Sequence, residues 1–329
     1  MLKMYHRHAE SAASAAYWEE FGSEGTLADR LRFCEVDPLR PLFTRFLKPG
    51  ARMLEGGCGR GQYVAYYTAR GANVVGLDFA RDWLTAIHAE APALKLCAGD
   101  VGTLPFKDGI FDLYYSGGVV EHFEGGADRA LAEARRVLKP DGILLISVPY
   151  FSPLRHALAF FRRSEWRRVD SPAVDDHEEG GRRFYQYAYT VRGFQRLLRD
   201  AGFTVLGTQG YALVWGLQDV ALIGRLVGSW ERRRHAGSSR ARQEPASAVV
   251  GGNGRVSNAS VLKRLAVAED VNVPAAGWLV RAGRWTCANM MMYVCAHDEA
   301  AAGQPVAFGA GPVMSTDGAV ESTSSEKSG

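Results

Sequence analysis

The chain has 329 residues, 47% of them hydrophobic, and its 39 Lys and Arg against 36 Asp and Glu leave a net charge of +3. That length and apolar content suffice for one large domain with additions. The charge is too mild, and the arginines too scattered, for a nucleic-acid surface. The five cysteines (34, 58, 97, 287, 295) contain no Cys-x-x-Cys pair, so neither a disulfide framework nor a metal site follows, and reduced thiols in a cytoplasmic protein are expected. No signal-peptide core opens the chain, and no run of about 18 apolar residues marks a transmembrane helix.

Residues 1–36 carry aromatic and charged residues in helical patches and predict a helical cap. Asp37-Pro38 reads as a helix start, with Leu39, Leu42, Phe43, Phe46 and Leu47 on one face. Ala51–Leu54 is a short buried strand, followed by Glu55-Gly56-Gly57-Cys58-Gly59-Arg60-Gly61-Gln62 and a helix over 63–70. Glycines at 57, 59 and 61 remove the Cβ atoms that would block a tight turn and a close ligand, helix N-terminal amides are available there, and Glu55 is placed to accept from an amine or hydroxyl. The dinucleotide fingerprint would want glycine at position 62 and would set a pyrophosphate against the Glu55 carboxylate, so it does not fit.

Asn73–Asp78 is a second strand whose terminal acid is placed to accept ribose hydroxyls. A helix over 81–90 and a strand over 94–98 lead to Asp100-Val101. A strand ending at Ser116 precedes the loop Gly117–Phe123, and a helix over 127–138 is broken by Lys139-Pro140-Asp141-Gly142 before a strand over 143–149. Strands alternating with helices over 51–149 predict a doubly wound, mostly parallel sheet covered on both faces, with ligands at the carboxyl ends of the strands. Glu55, Asp78, Asp100 and Ser116 all fall at such ends.

Residues 150–189 follow no regular period and are either a substrate lid or a solvated loop carrying core aromatics. Thr190 caps a helix ending at Gly202, and Phe203–Gly207 is a sixth strand. Residues 211–284 read as a helical insertion. Within it, 215–231 is an apolar helix that would meet a membrane surface, a homodimer partner or the domain itself, 235–258 a flexible linker, and 260–268 a short helix. Residues 285–299 hold the last core strand, and 300–329 a disordered tail.

Glu55–Gly61, the Leu104-Pro105-Phe106 … Phe111-Asp112 run, Leu138–Gly142 and Ala201-Gly202-Phe203 together resemble the class I S-adenosylmethionine (SAM)-dependent methyltransferases of the broad "methyltransferase type 11" kind. The resemblance covers about residues 50–210 and the last strand. It implies a seven-stranded Rossmann-like sheet whose last strand, 288–296, is antiparallel and slotted between the fifth and sixth. It also implies a site in which Glu55 and the backbone of Gly57, Gly59 and Gly61 hold the methionine part. Asp78 would bind the ribose, with Phe79 beside the adenine, Asp100 and Val101 on the adenine edge, and Ser116 and Gly117 closing the site near the sulfonium. Residues 211–284 then interrupt a strand pair that is usually close.

Methyl transfer requires an aligned nucleophile and exclusion of water; a hydroxyl nucleophile also needs a base. His122, just past strand four, is the candidate, either as that base or as a hydrogen-bonded loop histidine; His177 is a second. Tyr150, Tyr185 and Tyr187 either line an acceptor pocket or pack the core. The expected activity is methylation of a small molecule or glycan, at oxygen. A non-catalytic SAM-binding regulator or scaffold and an NAD(P)-dependent oxidoreductase are the alternatives. Nucleic acid is not an expected partner, since the chain has no Asn/Asp-Pro-Pro-Tyr/Phe signature and no dense basic groove.

Overall fold

The computed structural model describes residues 1–6, 26–161, 166–172, 183–217, 219, 265, 268–273 and 275–297. In chain order these form strand β1 (Leu2–His6), helix α1 (Leu27–Val36), α2 (Arg40–Phe46), β2 (Arg52–Gly56), α3 (Gln62–Thr68), β3 (Asn73–Asp78), α4 (Arg81–Glu90) and β4 (Lys95–Ala98). There follow β5 (Phe111–Gly117), a 3-10 turn (Val120–His122), α5 (Asp128–Val137), β6 (Leu138–Pro149), α6 (Pro153–Leu158), β7 (Trp166–Arg168), β8 (Arg183–Ala188) and α7 (Val191–Asp200). Then come β9 (Thr204–Tyr211), α8 (Leu213–Leu217), α9 (Gly277–Thr286) and β10 (Met290–Ala296).

The main sheet has seven strands in the order β4-β3-β2-β5-β6-β10-β9. β2 pairs in parallel with β3 and β5, β3 with β4, and β5 with β6. β10 runs antiparallel between β6 and β9, the slot expected of the last strand. Strands buried on both faces read as apolar runs, because helices cover each side. Leu54, Leu113, Leu145 and Val294 are fully buried, each contributing about 1.5–3 kcal/mol. From β2 the chain winds outward to β4 and then returns to place β5 on the other side of β2. The crevice outside the carboxyl ends of β2 and β5 is therefore the switch point at which such sheets bind ligands.

Several local readings shift. Within the segment expected as a helical cap, Leu2–His6 form a strand and Leu27–Val36 a helix capped by Thr26. α2 starts at Arg40 rather than directly after Asp37, because the Asp37 carboxylate turns inward. It accepts from the Leu39 amide at 2.8 Å and from the Tyr63 hydroxyl. Lys139–Gly142 does not separate α5 from the next strand. β6 begins at Leu138, which pairs with Phe111, and Pro140 precedes the stretch from Ile143 where both edges are hydrogen-bonded, the position a residue without an N–H tolerates.

Residues 150–189 are more ordered than their lack of period suggests. β7 and β8 flank β1 in a small antiparallel sheet, in the order β7-β1-β8. It is fastened to the loop after β5 by Lys3 Nζ on Glu124 Oε1 at 2.8 Å and by the Tyr187 hydroxyl on the Glu124 carbonyl at 2.8 Å. The partner of β8 lies at the far end of the chain, which local pattern does not reveal. The apolar helix expected over 215–231 lies outside the described residues beyond Leu217, apart from Asp219. The expected linker at 235–258 and the tail at 300–329 lie wholly outside them, as do His177 and most of the short helix expected over 260–268. No helix among the described residues is long and apolar enough to cross a membrane.

Candidate active site

A cavity of about 490 Å³ opens at the switch point, within the usual range for a small-molecule site. One wall is the glycine loop. Gly57 and Gly59 have φ of +76° and +50°, a region that side-chain-bearing residues avoid. A Cβ at Gly57 would stand 2.3 Å from Val119 Cγ2. The Gly57 and Cys58 amides both donate to the Leu77 carbonyl, at 2.8 and 2.9 Å, which locks the turn onto the end of β3.

Two buried carboxylates hold this loop from below. Asp78 Oδ2 accepts from the Gly59 amide at 2.7 Å and Oδ1 from the Ala80 amide at 2.9 Å. Burial raises its pKa, and these amides pull it back down. Glu55 is 3% exposed and takes the Val64 amide in the first turn of α3. Its Oε2 has no hydrogen-bond partner among the described residues. Burial, with Asp78 nearby, holds its pKa well above the carboxylate range. An orphaned acid at a cavity wall calls for a cation or a hydroxyl donor.

Phe79, 42% exposed, and Trp83 present aromatic surface to the same cavity, with Asp100 and Val101 beside them. Asp100 Oδ1 accepts from the Gly102 amide at 2.7 Å, closing a turn. The opposite wall comes from β5 and the loop after it: Tyr115, Gly117, Gly118, Val119, His122 and Phe123. His122 Nδ1 lies 2.7 Å from the Tyr185 carbonyl. A carbonyl only accepts, so Nδ1 carries the proton and Nε2 of the neutral ring is the basic nitrogen. Glu121 Oε1 stands 4.0 Å from Nε2. Burial pushes the Glu121 carboxyl up to about 8.

Of the residues expected in the site, the cavity brings together Glu55, Gly57, Gly59, Asp78, Phe79, Asp100, Val101, Gly117 and His122. It does not include Gly61, Ser116, Tyr150, Tyr185 or Tyr187. Gly61 is the left-handed residue that starts α3 and packs on Ile87. Ser116 faces away because alternate strand residues point to opposite sides, and its Oγ is buried without a partner among the described residues. Tyr150 reaches the Trp285 carbonyl at 3.3 Å. Tyr187 is fully buried, and Tyr185 bears on the site through its carbonyl. The lining residues that sequence reasoning missed are chiefly Arg30, Arg60, Tyr63, Trp83 and Tyr115. Tyr63 carried a signal, since it sits in the first turn after the glycine loop; Arg30 carried none.

These residues fit SAM. The bare glycine backbone admits a close ligand. Glu55 has an unsatisfied oxygen for the cofactor's amine, Asp78 keeps lone pairs for ribose hydroxyls beyond its two amides, and Phe79 and Val101 offer apolar contact for a base. A methyltransferase-domain family model matches residues 54–146, the stretch that builds this wall.

The chain is 33% identical over 165 residues to a protein of Encephalitozoon cuniculi that bears a methyltransferase name, covering 49% of this chain and 75% of that one. It is 38% identical over 111 residues to the demethylmenaquinone methyltransferase of Renibacterium salmoninarum, covering 32% and 46%. To the malonyl-acyl-carrier-protein O-methyltransferase of Pectobacterium atrosepticum it is 29% identical over 121 residues, covering 37% and 46%. The chain thus spans about half the length of these last two relatives. Among solved structures it resembles a SAM-dependent methyltransferase of Mesorhizobium loti, with 14% identity, a TM-score of 0.45 and coverage of 78% and 97%.

The chain belongs to the class I SAM-dependent methyltransferases. Members of that class are enzymes with SAM as their cofactor, which sets aside the oxidoreductase reading.

Proposed function

We propose that the acceptor is a small molecule or glycan hydroxyl and that His122 is the base that takes its proton. Bound in the cavity, the cofactor supplies an electrophilic methyl group. The protein aligns the nucleophile and excludes water, which contributes about 7–11 kcal/mol of barrier lowering in well-oriented systems. Glu55, the glycine loop, Asp78 and Asp100 orient the cofactor. SAM would supply the methyl group and leave as S-adenosylhomocysteine, while His122 Nε2 would accept the proton of the acceptor hydroxyl and become an imidazolium. The Tyr185 carbonyl then keeps its bond to Nδ1–H through both protonation states.

One observation carries this reading: the Nδ1–Tyr185 carbonyl bond of 2.7 Å, which fixes the tautomer with a basic Nε2 in a side chain that lines the cavity. Relatives bear names that specify acceptors as unlike as malonyl-acyl-carrier protein and demethylmenaquinone, so the acceptor is not inherited from them.

The test is a screen of hydroxyl- and amine-bearing acceptors with labelled SAM, followed by His122→Gln on the best acceptor. The expected loss of turnover is about 10²–10⁴-fold, with S-adenosylhomocysteine affinity within about twofold and the acidic limb, along which the rate rises with pH, removed from the pH–rate profile. Transfer only to amines, or full turnover by His122→Gln, would contradict the assignment.

A further inference from the structure

Among the described residues eight large apolar side chains are exposed, and six of them stand on or just after three helices: Phe160 and Phe161 after α6, Trp215 on α8, and Trp278, Leu279 and Trp285 on α9. Topology gathers these helices. α6 follows β6, α8 follows β9 and α9 leads into β10, while Met290 at the start of β10 pairs with both Pro149 and Tyr211. All three helices therefore stand at the carboxyl-end edge of the parallel strands, the edge at which the cavity opens. α9 packs against α6, and Leu213 of α8 lies against Gly283 of α9.

The pattern along α9 shows how the surface is built. Gly277 and Val280 are buried, whereas Trp278, Ala282 and Trp285 recur at i, i+4 and i+7 as an exposed stripe bordered by Leu279. Exposed apolar side chains gathered in this way mark an interaction surface.

Charge points to the occupant. No Asp or Glu occurs in 153–161, 213–217 or 277–286. Asp219 and Glu269, which bond to α6 and α9, are taken by Arg155 at 2.7 Å and by Arg284 at 3.3 Å. Arg281, on the other border of the stripe, donates to the Val271 carbonyl, and Arg168 of β7 donates to the His156 carbonyl of α6 at 2.9 Å. Neither arginine has an ion pair among the described residues. Indole rings bordered by arginines suit the headgroup level of a bilayer. A twofold pairing of two copies through this face would instead set arginines against arginines. We propose that the aromatic face of α6, α8 and α9 docks the protein on an anionic lipid surface, with Arg281 and Arg168 on the lipid phosphates. No helix among the described residues can cross a bilayer, so the contact lies on the membrane rather than in it. This inference is independent of the acceptor and of the role of His122.

The test sediments the full chain with vesicles of phosphatidylcholine alone and of phosphatidylcholine mixed in equal parts with phosphatidylglycerol. The parent is expected to bind the mixed vesicles about tenfold or more tightly than the neutral ones, less so at high salt. Trp278→Ser combined with Trp285→Ser should weaken that binding by about tenfold or more, and Arg281→Glu should reduce the preference for the anionic lipid. Phe33→Ser, at an exposed ring on α1, should bind as the parent does. S-adenosylhomocysteine affinity within about twofold of the parent's, by calorimetry, shows that each variant folds.

A parent that sediments with neither vesicle, or a double tryptophan variant that binds like the parent, would overturn the proposal. So would a second copy as the occupant, read in analytical ultracentrifugation as a concentration-dependent dimer that the double variant abolishes, without vesicle binding.

Discussion

The cavity's two walls are assembled in different ways. Glu55, Gly57, Gly59, Asp78 and Asp100 come from one uninterrupted stretch of the chain, and each acid is held by a backbone amide only a few residues from a strand end. The facing wall draws on Arg30, Tyr63, Tyr115 and the loop to Phe123. Its histidine is fixed by a carbonyl at Tyr185, on a sheet whose central strand is β1, Leu2–His6. Local hydrogen bonds make the first wall a self-contained cradle. The second depends on contacts between distant segments, so it can be altered without disturbing the first.

That contrast can be broken first at Gly57. Gly57→Ala forces a side-chain-bearing residue into φ +76° and sets its Cβ against Val119. The expected cost is about 2–5 kcal/mol, combining the left-handed penalty with overpacking, and cofactor affinity falls with it. Denaturant unfolding and calorimetry on Gly57→Ala and on Gly57→Ala with Val119→Ala separate the two parts. If the single variant is as stable as the parent, the cradle is not rigid.

Glu121 gives the next effect. Its ordinary carboxyl value is 4.5, and in the fold burial raises it to about 8. The folded chain therefore binds more protons than the unfolded chain between those values, and stability from this group falls as pH rises through the window. The penalty grows by about 1.4 kcal/mol per pH unit. Glu121→Gln, which never ionises, is expected to gain on the parent by a few kcal/mol between about pH 5 and pH 8. Urea unfolding at several pH values reads this directly, and a pH-independent difference would show that the carboxyl titrates normally.

The smallest effect is expected at Tyr187→Phe, which removes one buried hydroxyl bond to the Glu124 carbonyl. The cost should be about 1 kcal/mol of stability, with S-adenosylhomocysteine affinity unchanged. A loss of cofactor binding here would mean that the small sheet supports the cradle as well as the facing wall.

The same contrast explains what was legible in the sequence. The strands of the core were legible as apolar runs between glycine and proline punctuation, whereas the antiparallel slot of β10 followed only from the family resemblance. The acids that line the cavity were legible because they sit at strand ends. Ser116 was misplaced by one residue of strand alternation, which turns a side chain to the other face; Tyr115 lines the cavity instead. Tyr150 and Tyr187 were aromatic residues in an aperiodic stretch, and no local pattern distinguishes a lining ring from a core ring. The pairing of β1 with β7 and β8, and the reach of Arg30 into the cavity, are contacts between segments far apart in the chain, which local periodicity does not encode.

The most direct test of this division titrates S-adenosylhomocysteine by calorimetry into the parent chain, Asp78→Ala and His122→Gln side by side. The account predicts that Asp78→Ala loses at least about a hundredfold in affinity, because the Gly59 and Ala80 amides lose their acceptor and so would the ribose proposed to meet it, while His122→Gln stays within about twofold. Unchanged binding by Asp78→Ala, or equal losses in both variants, would contradict it.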